Sequence, residues 1–69
     1  MEDYYNVFHR TWWRDNPAYP NGLEPHIGKR TYLSRHVIYT DAREVADEYN
    51  RTHTFGRLSR KAEIERVEP

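Results

Sequence analysis

The stretch TYLSRHVIYTDAREVADEYNRTH (residues 31–53) changes its hydrophobic period partway along, and that change decides the fold class. Over residues 31–39, Leu33, Arg35, Val37 and Tyr39 alternate with Tyr32, Ser34, His36 and Ile38, the two-residue period of a strand. From Asp41 the spacing becomes helical. Ala42, Val45, Ala46 and Tyr49 follow i, i+3, i+4, i+7 and make one apolar stripe, while Arg43, Glu44, Asp47 and Glu48 fall on the solvent side. Asp41 is placed to cap the helix, with Glu44 completing a capping box, and Thr40 competes for the cap. The helix should end near Asn50–His53, before Gly56.

Upstream, YYNVFHRTWW (4–13) is dense in aromatic and β-branched residues and holds no Gly or Pro, so it reads as a second strand. Both of its faces carry rings: Tyr5, Val7, His9, Thr11 and Trp13 on one, Tyr4, Asn6, Phe8, Arg10 and Trp12 on the other. One face can reach a core, and the other must set large rings against solvent, a second chain or a ligand. Between the strands, RDNPAYPNGLEPHIGKR (14–30) reads as an ordered irregular loop with a turn at Asn21–Gly22, packed through Tyr19, Leu23 and Ile27. Within it Glu24 is placed to order the loop through Arg side chains or backbone N–H groups. Downstream, RLSRKAEIERVE (57–68) alternates Leu58, Ala62 and Ile64 as a strand would, although its Arg, Lys, Ala and Glu content also suits a helix; it is read here as a strand. The expectation is a single α+β domain over residues 1–69: a small three-stranded, mainly antiparallel sheet packed on one α-helix in the order β-loop-β-α-β.

A chain of 69 residues buries only about 60% of the surface its unfolded form exposes. With no cysteine to form a disulfide, a homo-oligomer is an expected source of further stability. Val, Ile and Leu together number ten, no more than the aromatics, of which six are Tyr and two Trp. Such rings bury a hydrophobic body while keeping a polar atom at the surface, so they serve thin cores and binding faces alike. No apolar run has signal-peptide or membrane-spanning length, which predicts an intracellular protein with no membrane partner.

Eleven Lys and Arg balance eleven Asp and Glu, but their distribution is uneven. Pro25–Thr40 contains no acid and holds Lys29, Arg30 and Arg35; Tyr49–Ala62 contains none and holds Arg51, Arg57, Arg60 and Lys61. A neutral chain can therefore still carry a cationic patch. The four histidines, His9, His26, His36 and His53, show no zinc-ligand spacing and read as exposed or loop residues, His53 suiting a helix C-terminus. Ser34 and Ser59 lie in no nucleophile motif, and no phosphate-cradling glycine loop occurs. No enzyme activity, metal or cofactor is expected.

The pattern that stands above background is aromatic plus basic. Trp12–Trp13 is flanked by Arg10 and Arg14, and a displayed ring could stack a base while Lys29, Arg30, Arg35, Arg57, Arg60 and Lys61 hold phosphates. Core packing or a dimer seam would use the same two Trp residues, and a solvated edge strand would use the same charges in GRLSRKAE (56–63).

Four strings, TWW (11–13), PNGLEP (20–25), the helix ending at Tyr49–Asn50, and GRLSRKAE (56–63), resemble a set of short proteins encoded by tailed bacteriophages and prophages, over about residues 5–65. The resemblance carries no activity to these residues and implies a setting, the cytoplasm of an infected bacterium. There, the expected function is a non-enzymatic accessory protein that counters host defence by sequestering a nucleotide or other phosphate-bearing ligand. The alternatives are an inhibitor that binds a host protein, of the anti-CRISPR kind, and a nucleic-acid-binding accessory protein.

Overall fold

The structure, a computed structural model, describes residues 3–68. In chain order its elements are β1 (Tyr5–Arg10), β2 (Trp13–Asp15), β3 (Leu23–Pro25), β4 (Thr31–Val37), α1 (Tyr39–Thr52) and β5 (Lys61–Arg66). β1 lies between β4 and β5 in a three-stranded antiparallel sheet, and α1 packs across one face of it. The α+β architecture read from the sequence is the one observed.

The helix stripe does what its spacing requires. Ala42 and Ala46 close against Val7 and Ala62, with Tyr5, Val37, Val45, Tyr49 and Ile64 packed around them. Two alanines on the helix let it approach the sheet closely, and Val7 at its centre is 0% exposed. The helix begins two residues before Asp41: Ile38 is the N-cap residue, it contributes no side-chain cap, and Asp41 instead adds negative charge to the first turn. Tyr39 therefore belongs to the helix and not to the preceding strand.

Four other expectations are corrected. The run 4–13 is not one strand, because after Arg10 the chain bends and the amides of Trp12 and Trp13 both donate to the Leu58 carbonyl, at 3.0 and 3.2 Å. The loop 14–30 hides a hairpin in which Trp13, Arg14 and Asp15 pair with Pro25, Glu24 and Leu23. Its cross-strand ion pair is Arg14–Glu24, and Asn16 Nδ2 adds a bond to Glu24 at 3.3 Å, so Glu24 does order this segment. Those hydrogen bonds, Arg14's first, hold the Glu24 carboxyl below the usual carboxylate range.

The alternation in β4 is also broken. Between the Tyr5–Val37 and Val7–Ser34 pairs, β4 spends three residues where β1 spends two, and His36 takes a left-handed φ of 58° there. The Asn6 side chain accepts the His36 amide at 3.0 Å, and the Tyr4 and His36 rings stack at 4.3 Å. A second register shift, between the Val7–Ser34 and Phe8–Tyr32 pairs, brings Arg35 onto the face that carries Tyr32. Residues 56–59 form a turn, so the last strand starts only at Lys61.

Among the described residues the sheet face away from α1 has no second layer of secondary structure, yet Phe8 on that face is only 2% exposed. Its cover is charged. The guanidinium of Arg10 lies 5.2 Å from the Phe8 centroid and that of Arg30 lies 4.8 Å away, while Tyr32 packs beside it at 5.9 Å. Arg10 is held by a two-point ion pair to Glu63, at 2.8 and 3.1 Å, and Arg30 by Glu65 at 2.6 Å. Glu65 also accepts from Tyr32 and Asn6, at 3.1 and 3.2 Å.

Candidate functional site

The eight basic and aromatic residues singled out from the sequence take different places in the fold. Arg30 and Arg35 belong to the charged sheet face: Arg30 covers Phe8 and pairs with Glu65, and Arg35 lies 3.8 Å from the Tyr32 centroid. Trp12 is half-buried beneath Arg10, whose guanidinium is 4.5 Å from the indole, and its buried Nε1 finds no hydrogen-bond partner among the described residues. Trp13, 37% exposed, starts the hairpin. Lys29 is exposed in the segment before β4. The Pro25–Thr40 window is thus not acid-free in space, since Glu65 reaches Arg30 from another strand.

Arg57, Arg60 and Lys61 lie in or beside the loop that links α1 to β5, at the same end of the sheet as the start of β4, since Lys61 pairs with Arg10 and Thr31 with the neighbouring His9. His53 ends the helix in an extended conformation, Gly56 turns the chain with φ of 71°, and Ser59 turns it again with φ of 54°. Both angles lie in the left-handed region, natural for Gly56 and tolerated by Ser59 inside a tight turn. Two backbone bonds close the loop, Ser59 N–H to Gly56 O at 3.2 Å and Arg60 N–H to Phe55 O at 2.8 Å. The Leu58 carbonyl is pinned by the Trp12 and Trp13 amides, and Arg57 forms an ion pair with Asp15 of β2. The Trp pair therefore acts here through its backbone, as the anchor of the loop.

The fixed loop presents Phe55, which is 45% exposed and which sequence reasoning did not single out. Its one sequence signal is an aromatic beside a glycine inside a basic window. Thr11, Thr54, Phe55, Arg57, Leu58 and Arg60 line a pocket of about 250 Å³, and Lys61 Nζ stands 6.0 Å from the Phe55 centroid. Among the described residues neither Arg60 nor Lys61 has a carboxylate partner. Arg57 is the cation already neutralised.

Behind this pocket three rings lie parallel. His9 stacks on Tyr49 with centroids 5.0 Å apart and planes 8° apart, and Tyr49 stacks on His53 at 4.1 Å and 10°. His9 is thus a half-buried strand residue rather than an exposed or loop one. Burial holds its imidazole below the ordinary histidine value, and the positive charges of Arg60 and His53 act in the same direction. Among the described residues no group of three or more His, Cys, Asp or Glu side chains is placed to hold a metal ion, and no helix is long and apolar enough to cross a membrane.

Compared with known proteins, the chain matches no family model, no curated protein and no solved structure.

Proposed function

We propose that this protein works by binding, without chemistry of its own, and that the loop 54–61 takes a phosphate-bearing small molecule, a nucleotide in particular. The observation that carries the reading is the Phe55 ring, exposed beside a pocket that Arg60 lines and Lys61 flanks, both without a carboxylate partner among the described residues. An aromatic platform holds a base by stacking, for about 1–3 kcal/mol, and Arg or Lys holds the phosphate by charge-assisted bonds. In the phage setting that the resemblance implies, such binding would sequester a signalling nucleotide of the host.

The test is a thermal-shift panel of nucleoside mono-, di- and triphosphates, cyclic dinucleotides and adenosine-diphosphate-ribose derivatives. A ligand at about a hundred times its Kd stabilises the fold by about 2.7 kcal/mol, which the assay resolves easily. The shift should vanish in Phe55→Ala and in the double variant Arg60→Ala/Lys61→Ala. No shift with any member of the panel would refute the proposal.

A second reading, a protein partner, is favoured by a groove of about 570 Å³ between β4 and α1, with Leu33, Val45 and Tyr49 among its lining residues. It predicts retention of a host protein that survives excess nucleotide and is lost in Leu33→Asp. The thin core also supports a homo-oligomer, for which native mass spectrometry at micromolar protein is the direct measurement.

A further inference from the structure

The two outer edges of the three-stranded sheet are guarded in different ways. On β5 the Asn50 side chain occupies both outward peptide groups of Ala62. β4, the other edge, carries two register shifts against β1, which break its regular outer side from Leu33 onward. Residues 27–32, ahead of the first break, have neither device. The His26 and Gly28 amides turn inward to the Trp12 and Thr11 carbonyls, at 3.0 and 2.9 Å. Among the described residues the Ile27 and Lys29 amides, which alternate with them, meet no protein acceptor.

Ile27 stands out on this stretch. It is 62% exposed, the most of any large hydrophobic residue among those described, and Lys29 beside it is exposed without a carboxylate partner there. Further along the same edge, Leu33 opens the groove between β4 and α1, which Val45 and Tyr49 also line and which Glu44 and Glu48 border from the helix. Apolar lining beside carboxylates fits an apolar side chain followed two residues later by a cation, the pattern of Ile27-Gly28-Lys29. Each chain thus owns both halves of one contact. They also share a face: Arg30 and Tyr32 lie on the Phe8 side of the sheet, so the two-residue alternation of extended chain turns Ile27, Lys29, Thr31 and Leu33 toward the α1 side.

Resting on the oligomer reading above, we propose that this edge pairs with a second copy of the chain, residues 27–33 of the two running antiparallel about a two-fold axis at Arg30, and that Ile27 of each enters the β4–α1 groove of the other. Facing residues of an antiparallel pair share a face, and an axis at Arg30 sets Ile27 opposite Leu33 and Lys29 opposite Thr31. Thr31 pairs with His9, whose ring stacks on Tyr49, so Lys29 arrives beside the helix turn that carries Glu48. At the axis Arg30 meets its own copy, with its charge already answered by Glu65 on the Phe8 side. The two sheets become one, and the exposed Ile27 and the open groove are covered in the same step.

Sedimentation equilibrium of the whole chain over a range of concentrations reads the dimer Kd. The native chain should dimerise, and Ile27→Asp and Leu33→Asp should each weaken the dimer by at least about a hundredfold, because the contact occurs twice and each buried aliphatic side chain is worth about tenfold or more. Lys29→Glu should weaken it roughly fivefold, and Lys29→Glu/Glu48→Lys should recover most of that loss. Both exchanged side chains are exposed, so circular dichroism should show an unchanged helix in these two variants even if an aspartate variant fails to fold. A dimer indifferent to Ile27→Asp overturns this inference and leaves the oligomer reading standing, and so does one that Leu33→Asp dissociates while Ile27→Asp does not. No recovery in the charge exchange overturns the place given to Lys29. A native chain that stays monomeric, whether or not a host protein then occupies the groove, overturns the inference and the oligomer reading together.

Discussion

Replacing Asn50 by alanine tests how the outer edge of the sheet is closed. β5 is an edge strand, and its Ala62 turns N–H and C=O away from β1. The Asn50 side chain meets both, accepting the Ala62 amide at 2.8 Å and donating to its carbonyl at 3.3 Å, so one side-chain amide stands where the next strand's peptide group would be. Two such bonds contribute about 2 kcal/mol together, and Ala62 is only 8% exposed, so water replaces them poorly. Alanine returns about 0.5 kcal/mol through its better helix propensity. The net loss is then about 1.5 kcal/mol, or roughly 6–12 °C in Tm for a domain of this size. Urea unfolding gives the free energy, and amide exchange at Ala62 shows whether the loss is local. A loss below about 0.5 kcal/mol with the Ala62 amide still protected would refute the reasoning. Sedimentation of the variant should also show species larger than those of the native chain, since an uncapped edge recruits a second strand.

Gly28→Ala should cost about 2 kcal/mol in a urea titration, the usual order for overpacking, because the new Cβ runs into the Thr11 hydroxyl and lies 3.1 Å from the Thr11 carbonyl that Gly28 N–H now bonds. Adding Thr11→Ala should recover part of that loss, which a double-mutant cycle reads directly. His9, its proton affinity lowered by burial first and then by Arg60 and His53, binds a proton more readily in the unfolded chain; its share of stability is present above about pH 6.5 and is lost as the pH falls below that. His9→Phe should therefore flatten the acid limb of a stability-against-pH curve, and an unchanged slope would contradict the stack geometry. Phe55→Ala should leave the unligated Tm within the scatter of surface substitutions, about 0.5 kcal/mol, while abolishing ligand-induced stabilisation.

The helix and the three-stranded antiparallel sheet were legible because their signals are periodic and tied to burial: Ala42, Val45, Ala46 and Tyr49 share one face whatever the loops do. What escaped depends on contacts distant in sequence. A continuous strand through Trp13 is consistent with composition, and only the Leu58 carbonyl, supplied from the far end of the chain, shows why it bends. The β2–β3 hairpin has three-residue strands, one ending at Pro25, too short for alternation to register. The helix start escaped because no side chain caps it. The basic windows were counted along the chain, whereas Glu65 and Asp15 reach Arg30 and Arg57 from other elements. Phe55 was passed over because a single ring in a loop has no period to reveal it.

The sheet face without a helix shows why so many arginines are present and how few of them are available. With one helix the fold can cover only one side of its sheet, and Phe8 on the other side needs a lid. Arginine suits this task better than lysine, because its planar, weakly hydrated guanidinium lies flat on a ring while its edge holds a carboxylate at two points. Arg10 does both, between Phe8, Trp12 and Glu63, with side chains 15% and 25% exposed in that ion pair. A guanidinium used in this way already has its charge answered by a carboxylate. Arg10 and Arg30 are structural for the same reason that they looked functional, their place beside aromatic rings. In the loop after α1 the Phe55 ring stays 45% exposed, with Arg60 lining its pocket and Lys61 Nζ 6.0 Å from its centroid, and among the described residues neither cation is held by a carboxylate.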